Sequence, residues 1–468
     1  MVIVLNGIPI ITVELKNHFT GQNVSHARRQ YQNDRDPREL IFTFKKRTLV
    51  HFAVDPDLAY MTTKLNGAST YFLPFNKGQN EGAGNPVAPP GKHRTHYLWE
   101  DVFSPVVLLD IIGRFLHIEK KERQIEVTRS GKSDLQKVTS ESLIFPRYHQ
   151  LDVVRKLLAN AKAKGPGRNY LVQHSAGSGK SNSIAWLAHR LSSLHNDKDE
   201  KIFHTVIVIT DRRILDQQIR DTIKQFAQVG SIVGHAERSG QLKEFLKAGK
   251  KIVVTTVQKF PFVLDDIGNE HRDRKFAILI DEAHSSQGGK TTAKMHQALG
   301  GKTDEEEFEE DSTQDAVNAE IEKRIASRKL LTNASYYAFT ATPKTRTLEL
   351  FGERVTVGDK VQFRSPEELT YTTKQAIQEG FILDVIANYT PVDSFYHVAK
   401  TIEDDPQVDK GKALKKIRRY VESHDKAIRR KAEIMVDHFT AQVIGAKKVG
   451  GKARAMIVCN GIARAIDY

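Results

Sequence analysis

Only one residue in 468 is a cysteine, Cys459, which excludes an intrachain disulfide framework and any zinc site built on cysteine. No run of about eighteen apolar residues occurs, so no transmembrane helix and no membrane partner are expected. Negative charge is in deficit: 57 Asp and Glu stand against 71 Lys and Arg, a formal charge of +14. An excess of that sign on a large chain points toward a polyanionic partner. The apolar opening, Met1–Val13, lacks a basic flank and a small-residue cleavage site and runs straight into Glu14-Leu15-Lys16. It therefore reads as a buried hairpin, not a signal peptide, and the chain as cytoplasmic. With 39% hydrophobic and 27% charged residues, there is material for more than one core. At roughly 150 residues per domain, about three domains are expected.

Three textures follow one another. Residues 1–115 are rich in short β-type runs, Val2–Leu5, Ile8–Leu15, Leu40–Phe44, Thr48–Val54, Leu58–Thr63 and Thr70–Leu73, beginning with an Asn6-Gly7 hairpin signal. A Gly/Pro/Asn-rich stretch, Asn76–Lys92, reads as a surface loop, and the polar residues Lys120–Ser140 as a linker or exposed surface. From Phe145 onward, strands alternate with helical patterns. The apolar runs Tyr170–Val172, Val206–Ile209, Ile252–Val254, Ala277–Ile280 and Tyr336–Phe339 suit parallel strands buried on both faces. Ile184–Leu194 and Ile214–Phe226 are long and amphipathic enough to be crossover helices, which gives a doubly wound α/β domain. The acidic run Asp304–Asp311 reads as a solvated insertion, with partner binding as the alternative. Beyond Pro366 lies a helical stretch rich in Lys and Arg, notably Lys410–Lys431, and then Ala455–Val458, which resembles the first strand of another α/β unit.

Residues His174-Ser175-Ala176-Gly177-Ser178-Gly179-Lys180-Ser181 lie between an apolar strand and a helical pattern, where a phosphate loop belongs. Gly177 and Gly179 let the backbone curl so that its N–H groups converge on a phosphate, and the following helix adds positive charge at its N-terminus. Lys180 would neutralise β/γ-phosphate oxygens, and the Ser181 hydroxyl would sit on Mg²⁺. His174 stands where the pattern G-x-x-x-x-G-K-(S/T) has glycine. After the run Ala277–Ile280 come Asp281-Glu282-Ala283-His284. Asp281, at a strand end, is suited to hold Mg²⁺, and Glu282 to polarise the attacking water. Thr340-Ala341-Thr342 ends the next run. Upstream, in Phe145-Pro146-Arg147-Tyr148-His149-Gln150, the Gln150 amide can read the donor and the acceptor of an adenine edge. In the second strand, Thr12, Glu14 and Lys16 share one face while Ile11, Val13 and Leu15 take the other. Taken by spacing alone, Glu14 and Lys16 are either an ordinary ion pair or an E-x-K nuclease site, with Glu14 binding Mg²⁺ and Lys16 positioning water.

The ordered set of Gln150, Gly177–Ser181, Asp281–His284 and Thr340–Thr342 resembles the first half of a superfamily 2 helicase or translocase motor. So do Ile209–Arg213, Leu215–Gln218 and Thr255–Phe260, which in that superfamily contact the nucleic-acid backbone. With Asn6-Gly7-Ile8-Pro9, Glu14-Leu15-Lys16-Asn17 and Phe72–Gly78, the whole chain resembles the restriction subunit of type I restriction-modification enzymes. That resemblance implies a PD-(D/E)xK nuclease-like α/β domain (residues 1–125), a linker (126–144) and a RecA-like doubly wound motor domain (145–365). A basic helical connection (366–452) and the start of a second RecA-like domain (453–468) would follow. It also implies ATP and Mg²⁺ as cofactors, double-stranded DNA as substrate, and methyltransferase and specificity subunits as partners that carry S-adenosylmethionine, in a bacterial or archaeal cytoplasm. Two departures stand out. The family's first metal-binding Asp would fall at or before Met1, and its Gln-x-x-x-Tyr element meets adjacent Gln30 and Tyr31 here. Since the second motor domain, which supplies an arginine to the transition state, would be cut off at Tyr468, the isolated chain is expected to hydrolyse little ATP. The rival readings are a stand-alone superfamily 2 repair or remodelling ATPase with a degenerate nuclease-like domain, and a non-enzymatic DNA-binding scaffold.

Overall fold

The computed structural model describes residues 1–129, 132–210, 223, 233–235, 239–256, 273–281, 333–358, 360–384, 425–445, 454–459 and 462–468. The chain forms two units, Met1–Asn388 and Tyr389–Tyr468.

The first unit opens with strands β1 (Val2–Leu5) and β2 (Ile8–Leu15), antiparallel across Asn6 and Gly7 at φ 49° and 80°. A two-residue turn with both φ values positive matches the right-handed twist of its strands, and Asn and Gly reach that conformation at least cost. Helix α1 (Val24–Asn33) follows, started by a reciprocal cap between Asn23 and His26. Next, β3 (Val50–Val54) pairs in parallel with β2, and β4 (Ala59–Thr62) and β5 (Leu73–Pro74) extend the sheet through antiparallel pairings. Val24, Ala27 and Tyr31, at helical spacing, bring α1 onto one face of this five-stranded sheet. Ile11, Val13 and Phe52 enter the larger core on the other. Leu15, expected inside, is half exposed because it ends its strand.

Three expectations fail here. Leu40–Phe44 forms turns, not a strand, because the Phe42 and Thr43 amides and the Thr43 hydroxyl all bond back to the Glu39 carbonyl. Of Thr70–Leu73 only Leu73 joins the sheet, since Thr70 folds back onto Gly67. After helix α2 (Pro105–Arg114), the stretch read as a linker is instead a ribbon. Strands β6 (His117–Arg129) and β7 (Lys132–Ile144) pair residue for residue, from His117 with Ile144 to Arg129 with Lys132. A two-stranded ribbon outside both sheets needs no apolar stripe, so hydrophobic periodicity is a poor guide to it.

Helix α3 (Tyr148–Lys164) leads into a second, seven-stranded sheet. Its strands in chain order are β8 (Asn169–His174), β9 (Thr205–Thr210), β10 (Val233–His235), β11 (Ile252–Thr256), β12 (Phe276–Asp281) and β13 (Ala334–Thr340). Helix α4 (Lys180–Ser192) follows β8, and α5 (Ser239–Lys247) follows β10. Beyond β13 come α6 (Thr345–Phe351), the hairpin β14 (Glu353–Val357)/β15 (Lys360–Arg364), β16 (Thr370–Tyr371) and α7 (Thr373–Gln378). The sheet order is β10-β11-β9-β12-β13-β8-β16, and every pairing is parallel. Interior strands β9 and β12 are buried along their whole length, which is why they read as unbroken apolar runs. This is an α/β domain built on a parallel sheet. It reaches past the expected boundary at residue 365, because Thr370 and Tyr371 add an edge strand beside Gln173 and His174. A two-residue strand leaves no trace in the sequence pattern.

The N-terminal sheet and the motor share one continuous core. Phe52 meets Phe145, Phe75 and Tyr97 both meet Tyr148, and Trp186 of α4 donates to the Phe115 carbonyl at 2.8 Å. Arg155 and Arg190 pair with Asp101 and Asp110 across the same seam.

The second unit is described through α8 (Asp425–Phe439), which runs on into a π-turn at Thr440–Ile444, and α9 (Ile462–Asp467). Ala455–Val458, expected as a strand, has no ladder partner among the described residues and is exposed. Glu282, His284, the acidic run, Asp211–Gln218 and Val257–Phe260 lie outside the described residues. So does the expected crossover helix Ile214–Phe226, apart from Ile223, which is buried.

Candidate nucleotide and nuclease sites

Parallel pairing places the C-terminal ends of β8, β13 and β12 side by side. Thr340 pairs with Gln173, and Asp281 with Phe339. In an open parallel sheet this edge is where ligands bind. The loop Ser175–Gly179 leaves β8 there and delivers Lys180 as the first residue of α4. Gly177 and Gly179 have φ values of 72° and 79°, left-handed conformations that glycine adopts without strain. At Gly179 a side chain is also excluded by contact, since a Cβ would lie 2.4 Å from Gln150 Nε2.

That closeness reflects a clamp at the start of α3. Gln150 Nε2 donates to the carbonyls of Ser178 and Gly179 at 3.2 and 3.0 Å, while its Oε1 accepts from the Arg147 amide at 2.9 Å. His149 Nε2 donates to the Ser178 carbonyl at 3.0 Å. The Arg147 guanidinium reaches the Gly177 carbonyl at 3.3 Å and lies 3.8 Å from the centroid of the Phe381 ring. Three consecutive carbonyls of the loop are thereby turned toward α3. Gln150 thus meets the loop backbone directly.

Beneath the loop the environment is dry and positive. His174 is buried against His149 and Tyr371, and His149 stacks on Tyr371 at 4.0 Å. Burial, then the charges of Arg147 and Lys180, pushes His174 down to about 3. Burial, with Arg147 and His174 next, holds His149 well below its usual range. Both are neutral at physiological pH. Ser178 Oγ and Arg147 Nη1 are buried without a protein partner. Unpaired donors beside a helix N-terminus suit an anion, so the loop fits the triphosphate of ATP. Lys180 and Ser181 begin α4, and Asp281, 4% exposed, closes β12. These are the positions at which Lys180 would meet phosphate, and Ser181 and Asp281 would hold Mg²⁺. No local pattern points to Tyr371 and Phe381, which arrive from some two hundred residues downstream.

The E-x-K face is different. Glu14 is bonded by Arg35, whose Nε and Nη2 lie 2.8 and 2.6 Å from Oε1. Beside it Thr12 Oγ1 meets both Tyr31 OH at 2.8 Å and His51 Nδ1 at 2.7 Å. Burial lowers His51 to about 4 and raises Tyr31. Lys16 is half-buried, and its amide extends the sheet to the Val54 carbonyl. No group of three or more His, Cys, Asp or Glu able to hold a metal occurs among the described residues. The residues at this face therefore do not by themselves fit a divalent cation: an arginine holds the Glu14 carboxylate, and no cluster of three possible ligands surrounds it among the described residues. Arg35 carried no sequence signal, since it lies beyond α1 and reaches Glu14 only through the fold.

Residues 1–70 match the family described as the type I restriction enzyme R protein N terminus, and residues 149–304 match the SWI2/SNF2 ATPase family. The chain is similar to the endonuclease subunits of type I restriction enzymes. The HindI endonuclease subunit of Haemophilus influenzae is 25% identical over 385 residues, covering 76% of this chain and 31% of that protein. The SauMSSORF170P endonuclease subunit of Staphylococcus aureus is 23% identical over 427 residues, covering 87% and 36%. The chain thus spans about a third of the length of the curated proteins it matches. The solved structure of T4 UvsW aligns over 49% of this chain and 36% of its own at 14% identity and a TM-score of 0.27, too low to bear on the fold. Among the described residues, no helix is long and apolar enough to cross a membrane.

Proposed function

We propose that the protein is the part of a type I restriction R subunit that couples ATP hydrolysis to movement along double-stranded DNA and carries the nuclease-like domain. The observation behind this reading is the loop Ser175–Lys180, clamped by Gln150 at the same sheet edge as Asp281. Bound ATP-Mg²⁺ would supply the hydrolysable phosphoanhydride. The chain's own part is to hold the phosphates on the loop amides and Lys180, to place Ser181 and Asp281 toward the metal, and to orient water through Glu282. Backbone contact with duplex DNA suits the net positive charge. Sequence recognition and S-adenosylmethionine would belong to specificity and methyltransferase subunits, since no segment reads as a base-edge reader. In the complete protein, Glu14 and Lys16 on a PD-(D/E)xK-type sheet would serve cleavage away from the recognition site.

One observation favours a second reading, a superfamily 2 DNA ATPase whose nuclease-like domain is degenerate: Arg35 occupies Glu14. Reconstituting the full-length protein with methyltransferase and specificity subunits separates the two. The first reading expects DNA-stimulated ATP turnover and linearised circular DNA, both lost with Lys180→Ala. Stimulated turnover without cutting, in the absence of those subunits, supports the second. Unchanged turnover in Lys180→Ala contradicts both.

A further inference from the structure

Tyr371 supports the phosphate loop at two points. Its carbonyl accepts from the amide of Ser175, the first loop residue, at 3.0 Å. Its ring stacks on His149, whose Nε2 donates to the Ser178 carbonyl at 3.0 Å. The backbone contact is set by sheet pairing, because Tyr371 lies beside His174 in the ladder. The place of the ring depends on what its hydroxyl meets. That partner is Glu379, the C-cap of α7. Tyr371 OH donates to Glu379 Oε2 at 2.6 Å, and Gln375 Nε2 donates to Oε1 at 2.9 Å. Gln375 is itself packed tightly, since a Cβ at Gly78 would lie 2.8 Å from its Oε1. Burial, then the Glu379 carboxylate, raises Tyr371, so its hydroxyl keeps the proton it donates. A short O–H···O bond to a carboxylate is roughly twice as strong as one between neutral groups.

We infer that Glu379 is a positioning residue of the phosphate loop: through the Tyr371 hydroxyl it fixes the ring on which His149 stacks, and so keeps the Ser178 carbonyl turned toward α3. This rests on the nucleotide reading of the loop. The role requires an acceptor for the Tyr371 proton, and its effect falls on the phosphates, because the loop is what it shapes.

The test is calorimetric titration of the 468-residue chain with ATP and with inorganic tripolyphosphate, both with Mg²⁺, below the unfolding transition. Wild type is compared with Glu379→Ala, Glu379→Gln, Tyr371→Phe and the double variant Glu379→Ala/Tyr371→Phe. Glu379→Ala is expected to weaken both ligands by the same factor, about tenfold, the scale of a lost hydrogen bond to a charged group. Tyr371→Phe weakens them as much, and the double variant no further, because both substitutions break one bond. Glu379→Gln restores binding, since its amide oxygen accepts from Tyr371 while Gln375 turns its own amide over to accept from the new NH₂. A merely structural Glu379 would lower the unfolding temperature and leave the affinity of the folded chain unchanged, and that result overturns the assignment. Losses that multiply in the double variant overturn it too. So does a Glu379→Gln as weak as Glu379→Ala, which would place the effect in the charge that Arg147 feels. Tyr371→Phe keeps the ring and the core, so wild-type affinity in that variant alone is enough to contradict the relay. If wild type binds neither ligand, the loop reading itself fails, a result distinguishable from failure of Glu379 alone.

Discussion

Gln150 Nε2 lies 3.0 Å from the Gly179 carbonyl, so an amide at the start of one helix fixes the residue that starts the next. The loop does not hold its shape through its own glycines alone. It is built against α3.

Replacing Gln150 by Ala removes three hydrogen bonds at once and leaves the buried Arg147 amide without its acceptor, while the Ser178 and Gly179 carbonyls keep only His149 and the first amides of α4. At about 1–3 kcal/mol for each buried group left unsatisfied, the variant should unfold several degrees earlier and bind nucleotide more weakly. Gly179→Ala should be worse still for binding, from its left-handed φ and the 2.4 Å approach to Gln150. Differential scanning calorimetry and ATP titration measure both. An unshifted transition with normal ATP affinity in Gln150→Ala would mean that the loop is self-supporting.

The two histidines under the loop give the protein an acid-sensitive point. A base whose folded-state pKa is depressed binds its proton more readily when unfolded, so its contribution to stability is complete above the usual value of 6.5. It is lost as pH falls from there toward about 3. His174→Asn keeps the size and removes the titration. Its unfolding temperature is expected to fall less than wild type's between about pH 6.5 and pH 4, with parallel curves above about pH 7. Parallel curves throughout would show that His174 is solvated in the folded chain.

At the E-x-K face, Arg35→Gln frees the Glu14 carboxylate. The expected outcome is Mn²⁺ binding that is undetectable in the unsubstituted chain, becomes measurable by electron paramagnetic resonance in Arg35→Gln, and disappears again in Arg35→Gln/Glu14→Gln. Glu14-dependent Mn²⁺ binding of equal strength with Arg35 present would mean that the ion pair does not compete with the metal.

Trp186 ties the motor to the N-terminal region through the Phe115 carbonyl at 2.8 Å, with its ring packed on Phe115 at 5.5 Å. Trp186→Phe keeps most of the apolar bulk and drops the bond. Destabilisation of about 1–3 kcal/mol is expected, in a single transition because the two regions share a core. Two resolved calorimetric transitions within Met1–Asn388 would instead show that the regions unfold apart.

What the sequence revealed depended on how local the signal was. The Asn6-Gly7 turn and the five apolar motor strands were legible, because a two-residue turn and a doubly buried strand impose their patterns on adjacent residues. The Gly177–Ser181 loop was legible for the same reason. The β6–β7 ribbon was missed because it needs no apolar face, and Leu40–Phe44 was misread because side-chain and amide bonds to Glu39 outcompeted strand pairing. Tyr371 and Phe381 beside the loop, and Arg35 on Glu14, are contacts between distant segments, and one-dimensional periodicity carries nothing about them.

If Ser175–Ser181 is a working nucleotide site, equilibrium binding of ATP-Mg²⁺ to this chain and to Lys180→Ala must show it. Saturable one-to-one binding in wild type, weakened at least about tenfold by loss of a charge-assisted phosphate contact, is the expected result. Equal affinity in the two proteins, or no saturable binding in wild type with the loop folded, would contradict it.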